Sequence, residues 1–421
     1  MTTTATTAEM AVDAVSTEPL WKRSSFRLSV LSLGLTLFGT VMVASAAGSR
    51  EFATVALRRL GMAAAGVLAF LIGANVDYQW WRRHHLGLLG ATLALLALLL
   101  VPGVASARNG ARRWISFGLP VGFQPSEFAK PAVCVWLAAY CERHLRRMGA
   151  PATGFLVPIC VVGLVCALIL LEPDFGTAVL LGVVGAVVLW VMGTRTLYFL
   201  LGAAACLPLA QKLVFEVPYR MERVLSFLNP WADPRGSGYQ LIQSKIAIGS
   251  GGIFGLGLGM GRQEEGFLPL AENDFIFSIV AEELGLIGSV VVIAAFLLLL
   301  WEGFRLARRS RGPFAFALSL GLTAWIGLQS ALHVAVVTGA VPTKGISLPF
   351  VSAGGSCLVT SMLAAGILVN IAHSVEEPED HELRPWSEDV PEYERLAARA
   401  VGTLAAAVPR SPEPVETENS A

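Results

Sequence analysis

Charge is what this chain is short of. Only 15% of its 421 residues are Asp, Glu, Lys or Arg, whereas 54% are hydrophobic and the mean hydropathy is +0.63. That balance excludes an ordinary soluble enzyme and is the composition of a polytopic membrane protein. Basic and acidic residues number 31 each, so no surplus of positive charge offers a surface to nucleic acid. The six cysteines (Cys134, Cys141, Cys160, Cys166, Cys206, Cys357) sit in or beside apolar runs without metal-ligand spacing. A disulfide framework or zinc site is not expected from them; small apolar packing is. Glycine is plentiful, yet Gly249–Gly261 lacks the Gly-Lys-Ser/Thr of a phosphate-binding P-loop, so nucleotide is not expected either. Those glycines read as bends in a loop over the membrane surface.

What is present is a series of apolar runs. Ten spans are expected near 28–47, 59–76, 86–104, 127–141, 154–171, 175–193, 196–215, 274–301, 314–338 and 355–373. Crossing the hydrocarbon takes about 20 helical residues, and most of these qualify. The run at 127–141 is short and amphipathic. The expectation is an all-α polytopic membrane protein of about ten transmembrane helices, with a large extracytoplasmic loop, 216–273, between spans seven and eight. Lys22, Arg23 and Arg27 precede the first span; Arg82 and Arg83, then Arg143, Arg146 and Arg147, then Arg305, Arg308, Arg309 and Arg311 follow later ones. With an even number of spans all fall on one side, and the positive-inside rule places both termini in the cytoplasm of a multi-pass membrane protein. Residues 1–20 and 376–421 read as disordered tails flanking one membrane domain, 21–375. A loop as long as 216–273 points to function.

This topology carries Arg112, Arg113, Arg220, Arg223 and Lys344 to the outer side, against the positive-inside trend, together with Asp274 at the mouth of an apolar run. An ionisable group there is costly and marks a functional site. An anionic, lipid-linked substrate outside the membrane would account for the cations.

Several strings carry a resemblance. They are Asn109-Gly-Ala-Arg-Arg-Trp-Ile-Ser116, Gln124-Pro-Ser-Glu-Phe-Ala-Lys130, Glu172-Pro-Asp-Phe-Gly-Thr177 and Phe227-Leu-Asn-Pro-Trp-Ala-Asp-Pro234. Gly238-Tyr-Gln, Ala247-Ile-Gly-Ser-Gly-Gly252, Asp274-Phe-Ile-Phe277, Glu282-Glu-Leu-Gly285, Pro342-Thr-Lys-Gly345 and Leu348-Pro-Phe-Val-Ser-Ala-Gly-Gly-Ser356 follow. In this order, over about 28–374, they resemble the SEDS family of FtsW, RodA and SpoVE proteins, and Pro-Thr-Lys-Gly is closest to the FtsW/SpoVE branch. The resemblance implies a peptidoglycan glycosyltransferase that polymerises lipid II outside the membrane, at the septum or in sporulation. It would act beside a class B penicillin-binding protein and other division or sporulation proteins. It places the family's essential Asp on Asp274, and, because such enzymes are commonly assisted by divalent cations, it makes Mg²⁺ or Mn²⁺ conceivable with Asp274 as a ligand. The chain departs from the family's usual text at Leu270 (commonly Glu), Asn273 (Thr), Glu264 (Lys) and Ala353 (often Tyr).

Lipid II already carries a diphosphate leaving group, so the protein needs chiefly a base and cations. Asp274 is read as the base for a sugar 4-hydroxyl, against the alternative of a carboxylate that merely caps a helix. On a continuous helix from Asp274, Glu282 would lie roughly 80° around and Glu283 roughly 180° around and about 13 Å away, so neither shares its proton; both are read as interior polar contacts. Lys344, Arg113 and Arg223 are the diphosphate candidates, with Trp114 beside them. Gly354, Gly355 and Ser356, after Ser352, open the last span and offer either backbone N–H groups to an oxyanion or a tight glycine turn. Glu127 and Lys130, three apart, form a local ion pair or reach toward Asp274. Glu172-Pro-Asp174 reads as a helix break and cap, and His333 and Gln329 as interhelical hydrogen-bond partners. Two other functions stay open: a lipid II flippase and a non-catalytic scaffold of a cell-wall synthase.

Overall fold

The computed structural model describes residues 19–46, 48–102, 105–108, 111–115, 122–261 and 271–376. The expected tails lie outside the described residues apart from their innermost positions, and so do Leu270 and Glu264. Fourteen α-helices build the described part: α1 Ser24–Ser45, α2 Gly48–Asn75, α3 Tyr78–Arg83, α4 His85–Leu99, α5 Pro125–His144, α6 Val157–Leu171, α7 Phe175–Val191, α8 Thr196–Phe215, α9 Pro218–Leu228, α10 Tyr239–Ser250, α11 Ala271–Asp274, α12 Ile276–Arg309, α13 Pro313–Val337 and α14 Gly355–Glu376. Each of the ten expected spans falls on a helix. Among the described residues six helical segments are long and apolar enough to cross a membrane, and His85–Leu99, Phe175–Val191 and Thr196–Pro208 are shorter apolar helices. The chain is a multi-pass membrane protein. Its one sheet among the described residues is a hairpin of β1 Ala105–Arg108 and β2 Ala111–Ile115, antiparallel with a bulge between Ser106 and Ala107.

Local chemistry sets the boundaries. Proline at the first turn starts α5, α9 and α13, where its missing N–H costs nothing. Pro173 prevents α6 from continuing, and Asp174 then caps α7 by accepting from the Thr177 backbone N–H at 3.1 Å. In the bundle, α2 and α14 approach so closely that a side chain on Gly366 would stand 2.2 Å from the Phe70 carbonyl oxygen. Small residues at such contacts let helices pack without a hydrophobic driving force in lipid.

Two sets of polar contacts mark the ends of the bundle. At one end Ser24 and Arg27 meet Glu302, Ser25 meets Glu376, and the Tyr78 N–H meets Asn370. At the other, Ser45 donates to Glu283. From Leu286 to Glu302 the helix rises about 24 Å, most of the hydrocarbon thickness. Beyond Glu283, residues 276–283 are buried on every side, whereas Leu286, Ile287, Val290 and Val291 are exposed.

The change falls on a break. Gly285 interrupts α12 with φ 64° and ψ −160°. The carbonyls of Glu282 and Glu283 thereby lose their helical partners and accept from the Leu256 and Gly257 N–H groups, at 3.0 Å each. The glycine segment after α10 therefore docks against α12 edge-on, and the expected bend over the membrane is a specific backbone contact. The 216–273 segment is correspondingly built of helices and turns in its described part.

Candidate active site

The continuous helix expected from Asp274 is not present. Asp274 ends the single turn α11, and Phe275, at φ −129° and ψ 22°, separates it from α12. The angular comparison with Glu282 and Glu283 therefore does not apply. Their actual contacts are structural ones, Ser250 with Glu282 and Ser45 with Glu283, and both are fully buried.

Asp274 faces a cavity of about 1060 Å³ at the Ser45 end of the bundle. Its Oδ1 accepts from the Asn273 side-chain amide at 2.9 Å, and its Oδ2 lies against Gly345, 2.8 Å from where a Cβ would stand. Burial raises the carboxyl to about 6; the guanidiniums of Arg223 and Arg113 pull it back and Asp174 pushes it further up. Lys344, Arg113, Arg223, Trp114, Glu127, Lys130, Gly354, Gly355 and Ser356 line the same cavity. Ser352 does not; it is buried beneath the wall.

The three candidate cations differ in what already holds them. Arg113 donates from Nε to the Glu172 carbonyl at 2.9 Å and from Nη2 to the Pro173 carbonyl, so it braces the α6–α7 turn. Arg223 donates to the Thr343 carbonyl at 2.8 Å. Lys344 lies over the Phe175 ring, 4.2 Å from its centroid, and among the described residues it makes no hydrogen bond or ion pair. Burial lowers its ammonium to about 8, with Asp174 opposing and Arg223 and Arg220 adding to the fall. Near neutral pH the cavity thus holds an ionisable base and a cation a proton apart in kind. Nearby, burial and Asp174 raise the Glu172 carboxyl to about 8 against the pull of Arg113.

The loop 341–354 that presents Lys344 is held from beneath. His333 contacts the Ile346 carbonyl at 2.6 Å through Nδ1, and Gln329 donates to the Ser347 carbonyl at 2.8 Å. His333, expected to bridge helices, braces the loop, whereas Gln329 does both: it holds the loop and also meets Lys130 on α5 and Cys357 on α14. Lys130 reaches the Gln329 Oε1 at 2.8 Å and pairs with Glu127 at 2.6 Å, both side chains being almost wholly buried. Ser352 donates to the Asn273 carbonyl at 2.7 Å. Gly354 packs closely against Asn273 and Ser347, and Gly355 against Met62. The Ser356 hydroxyl accepts from the Gln124 N–H.

The family described as "Cell cycle protein", covering FtsW, RodA and SpoVE, matches residues 26–377. This chain belongs to the FtsW/RodA/SpoVE family. It is 40% identical to "Probable peptidoglycan glycosyltransferase FtsW" of Geobacter metallireducens over 359 residues, 83% of this chain and 95% of that one. It is 38% identical to "Stage V sporulation protein E" of Bacillus subtilis over 351 residues, 82% and 96%. Among solved structures it is similar to RodA of Thermus thermophilus (26% identity, TM-score 0.62, 82% of this chain and 96% of that one). It is also similar to a chain from a study of polymerization and crosslinking by a peptidoglycan synthase complex (29%, TM-score 0.71, 82% and 97%). The fold is that of RodA.

Against the family's usual text, Ala353 leaves a small side chain on the cavity wall, its N–H bonded to the Glu272 carbonyl at 3.0 Å. The donor set around Asp274 does not fit a protein-built cation cage: Asp174 is engaged by Thr177 and Gln124, and three basic side chains crowd the rest. Among the described residues no three His, Cys, Asp or Glu groups converge. Sequence reasoning passed over Arg59, which is 2% exposed and donates to the carbonyls of Phe350, Val351 and Ser352. A charged pair, Arg58-Arg59, at the rim of an apolar span was the available signal. Arg220, read from the sequence as an outer cation, and Asp174, read as a helix cap, also line the cavity wall, whereas the contacts of Asn273 left no comparable trace.

Proposed function

We propose that this protein is a peptidoglycan glycosyltransferase that polymerises lipid II at the outer face of the cytoplasmic membrane during division or sporulation. The observation that carries the proposal is one cavity that joins the Asp274 carboxylate to Lys344, Arg113 and Arg223. Ionised Asp274 accepts the proton of an acceptor sugar 4-hydroxyl as that oxygen bonds to the anomeric carbon of the donor. The bond from that carbon to the diphosphate breaks with inversion, and undecaprenyl diphosphate departs with the electron pair. Lys344, free to meet an anion, takes the developing charge first; Arg223 and Arg113 add field while bracing the backbone.

Residues 21–375 form the membrane domain in this reading, with both termini cytoplasmic and 216–273 outside. The basic loops support that orientation, since Arg27, Arg82 and Arg305 gather at the end opposite Asp274. A class B penicillin-binding protein is the partner that would crosslink the product, within an assembly of division or sporulation proteins.

The test is polymerisation of fluorescent lipid II by the full chain co-purified with its class B penicillin-binding protein, with moenomycin silencing classical polymerases. Long glycan strands are expected from wild type and none from Asp274→Ala. Equal strands from both would remove Asp274 as base. No strands from either assembled complex would favour a flippase or scaffold.

A further inference from the structure

The base needs more than a favourable pKa. A carboxylate has two oxygens and a rotatable bond, and it serves as a base only when one lone pair is held toward the substrate. The structure holds it through one side chain. Asn273 donates from Nδ2 to Asp274 Oδ1 at 2.9 Å, and its own Oδ1 accepts from the Ser347 hydroxyl at 3.0 Å. Its backbone carbonyl accepts from Ser352 at 2.7 Å. Ser347 and Ser352 are fixed in turn, the first through its carbonyl by Gln329 and the second through its hydroxyl by the Leu348 N–H at 2.7 Å. Gly354 closes over the relay: a Cβ there would stand 3.0 Å from the Ser347 hydroxyl and 3.1 Å from Asn273 Oδ1, tighter than ordinary contact.

The direction of the relay follows from chemistry. Reversing the Asn273 amide would set its oxygen against an ionised carboxylate oxygen, acceptor against acceptor. Only the orientation with the N–H toward Asp274 satisfies both neighbours, and it obliges Ser347 to donate. Oδ1 is then occupied, and Oδ2, beside Gly345, is the oxygen left for a substrate.

We propose that Asn273 is the positioning residue for Asp274: it transmits the hydrogen bond of Ser347 to Oδ1 and thereby turns Oδ2 into the cavity. The inference rests on Asp274 being the base. A hydroxyl both accepts and donates, so threonine can substitute for the amide, whereas valine has the same shape as threonine and neither function.

The experiment compares Asn273→Val, Asn273→Thr, Ser347→Ala and the Asn273→Val/Ser347→Ala double variant in the full complex, by kcat and KM for lipid II. Asn273→Val is expected to lose about 10- to 100-fold in kcat with KM changed less than about twofold. Asn273→Thr is expected to recover most of that loss. Adding Ser347→Ala to Asn273→Val should cost nothing further, because the relay is already cut. Full kcat in Asn273→Val, equal loss in the Thr and Val variants, or additive effects of the two sites would each overturn the proposal. Complex assembly and thermal midpoint, followed in parallel, separate loss of fold from loss of position. Activity retained by Asp274→Ala would instead defeat the base assignment itself.

Discussion

At the scale of single residues the decisive quantities are two protonation states. The Asp274 carboxyl is raised to about 6 by burial, so it is a base only above that pH, and activity falls as the medium is acidified through it. The Lys344 ammonium is lowered to about 8 by burial, so its charge is present below that pH and is lost above it. Initial rates of lipid II polymerisation are therefore expected to form a bell with its plateau between about 6 and 8. Lys344→Arg should hold the alkaline limb up, since a guanidinium stays charged; an unchanged alkaline limb would assign it to another group. Gly345 supplies a second prediction. A methyl there would stand 2.8 Å from Asp274 Oδ2, and the carboxylate would turn away from the substrate. Gly345→Ala is expected to lower kcat by about 100-fold with the thermal midpoint preserved, as a displacement near 1 Å warrants. A fully active variant would show that the carboxylate needs no fixed orientation.

At the scale of elements the break in α12 does what a straight helix could not. Above Gly285 the helix is enclosed by protein and supports the cavity; below it, one face meets lipid. The break frees two carbonyls, and membrane depth makes unpaired carbonyls costly, so the glycine segment 252–257 must supply N–H groups. Gly285→Ala would place a Cβ 2.4 Å from the Gly255 nitrogen in a backbone region open essentially to glycine alone. A loss of about 2–3 kcal/mol is expected, read as a lower thermal midpoint in detergent. Gly249→Ala, whose Cβ meets nothing within 4 Å inside α10, is the control and should hold or gain stability. Equal midpoints for the two variants would refute the tie between the segments. The helices themselves were legible in the sequence, because lipid demands length and apolarity of every crossing. The breaks at Phe275 and Gly285 were not: no proline marks either, and the one at Gly285 depends on backbone partners at Leu256 and Gly257, far away in the chain. Asp274, Lys344, Arg113, Arg220 and Arg223 were legible as ionisable groups in the wrong place, and the cavity does unite them, whereas the Arg112 side chain lies outside the described residues. Asn273 and Arg59 act through backbone carbonyls and neighbouring side chains, and such contacts have no spacing rule.

At the scale of the molecule, everything depends on which side of the membrane the cavity opens to. The two ends of the bundle are chemically unlike. One carries Arg27, Arg305 and Glu302 locked together, with Arg82 paired to Glu142. The other carries the cavity, with Asp274 and Lys344 on its wall. In the proposed orientation, with the arginine loops inside, the cavity opens outside, and the diphosphate-linked sugar would arrive there already carried across the membrane. Ser237, exposed in the 216–273 segment, and Arg311, exposed between α12 and α13, report the two sides. In a background lacking the native cysteines, Ser237→Cys is expected to react with a membrane-impermeant maleimide in intact spheroplasts. Arg311→Cys should react only after permeabilisation. The reverse pattern would bring Asp274 to the cytoplasmic face, where lipid II is made, and polymerisation outside would no longer be compatible with this cavity. Labelling of both sites in intact cells would mean that the arginine loops do not fix orientation at all. The expected pattern binds the residue chemistry to the compartment: the carboxylate, its amide and the facing cations then stand where glycan strands are needed.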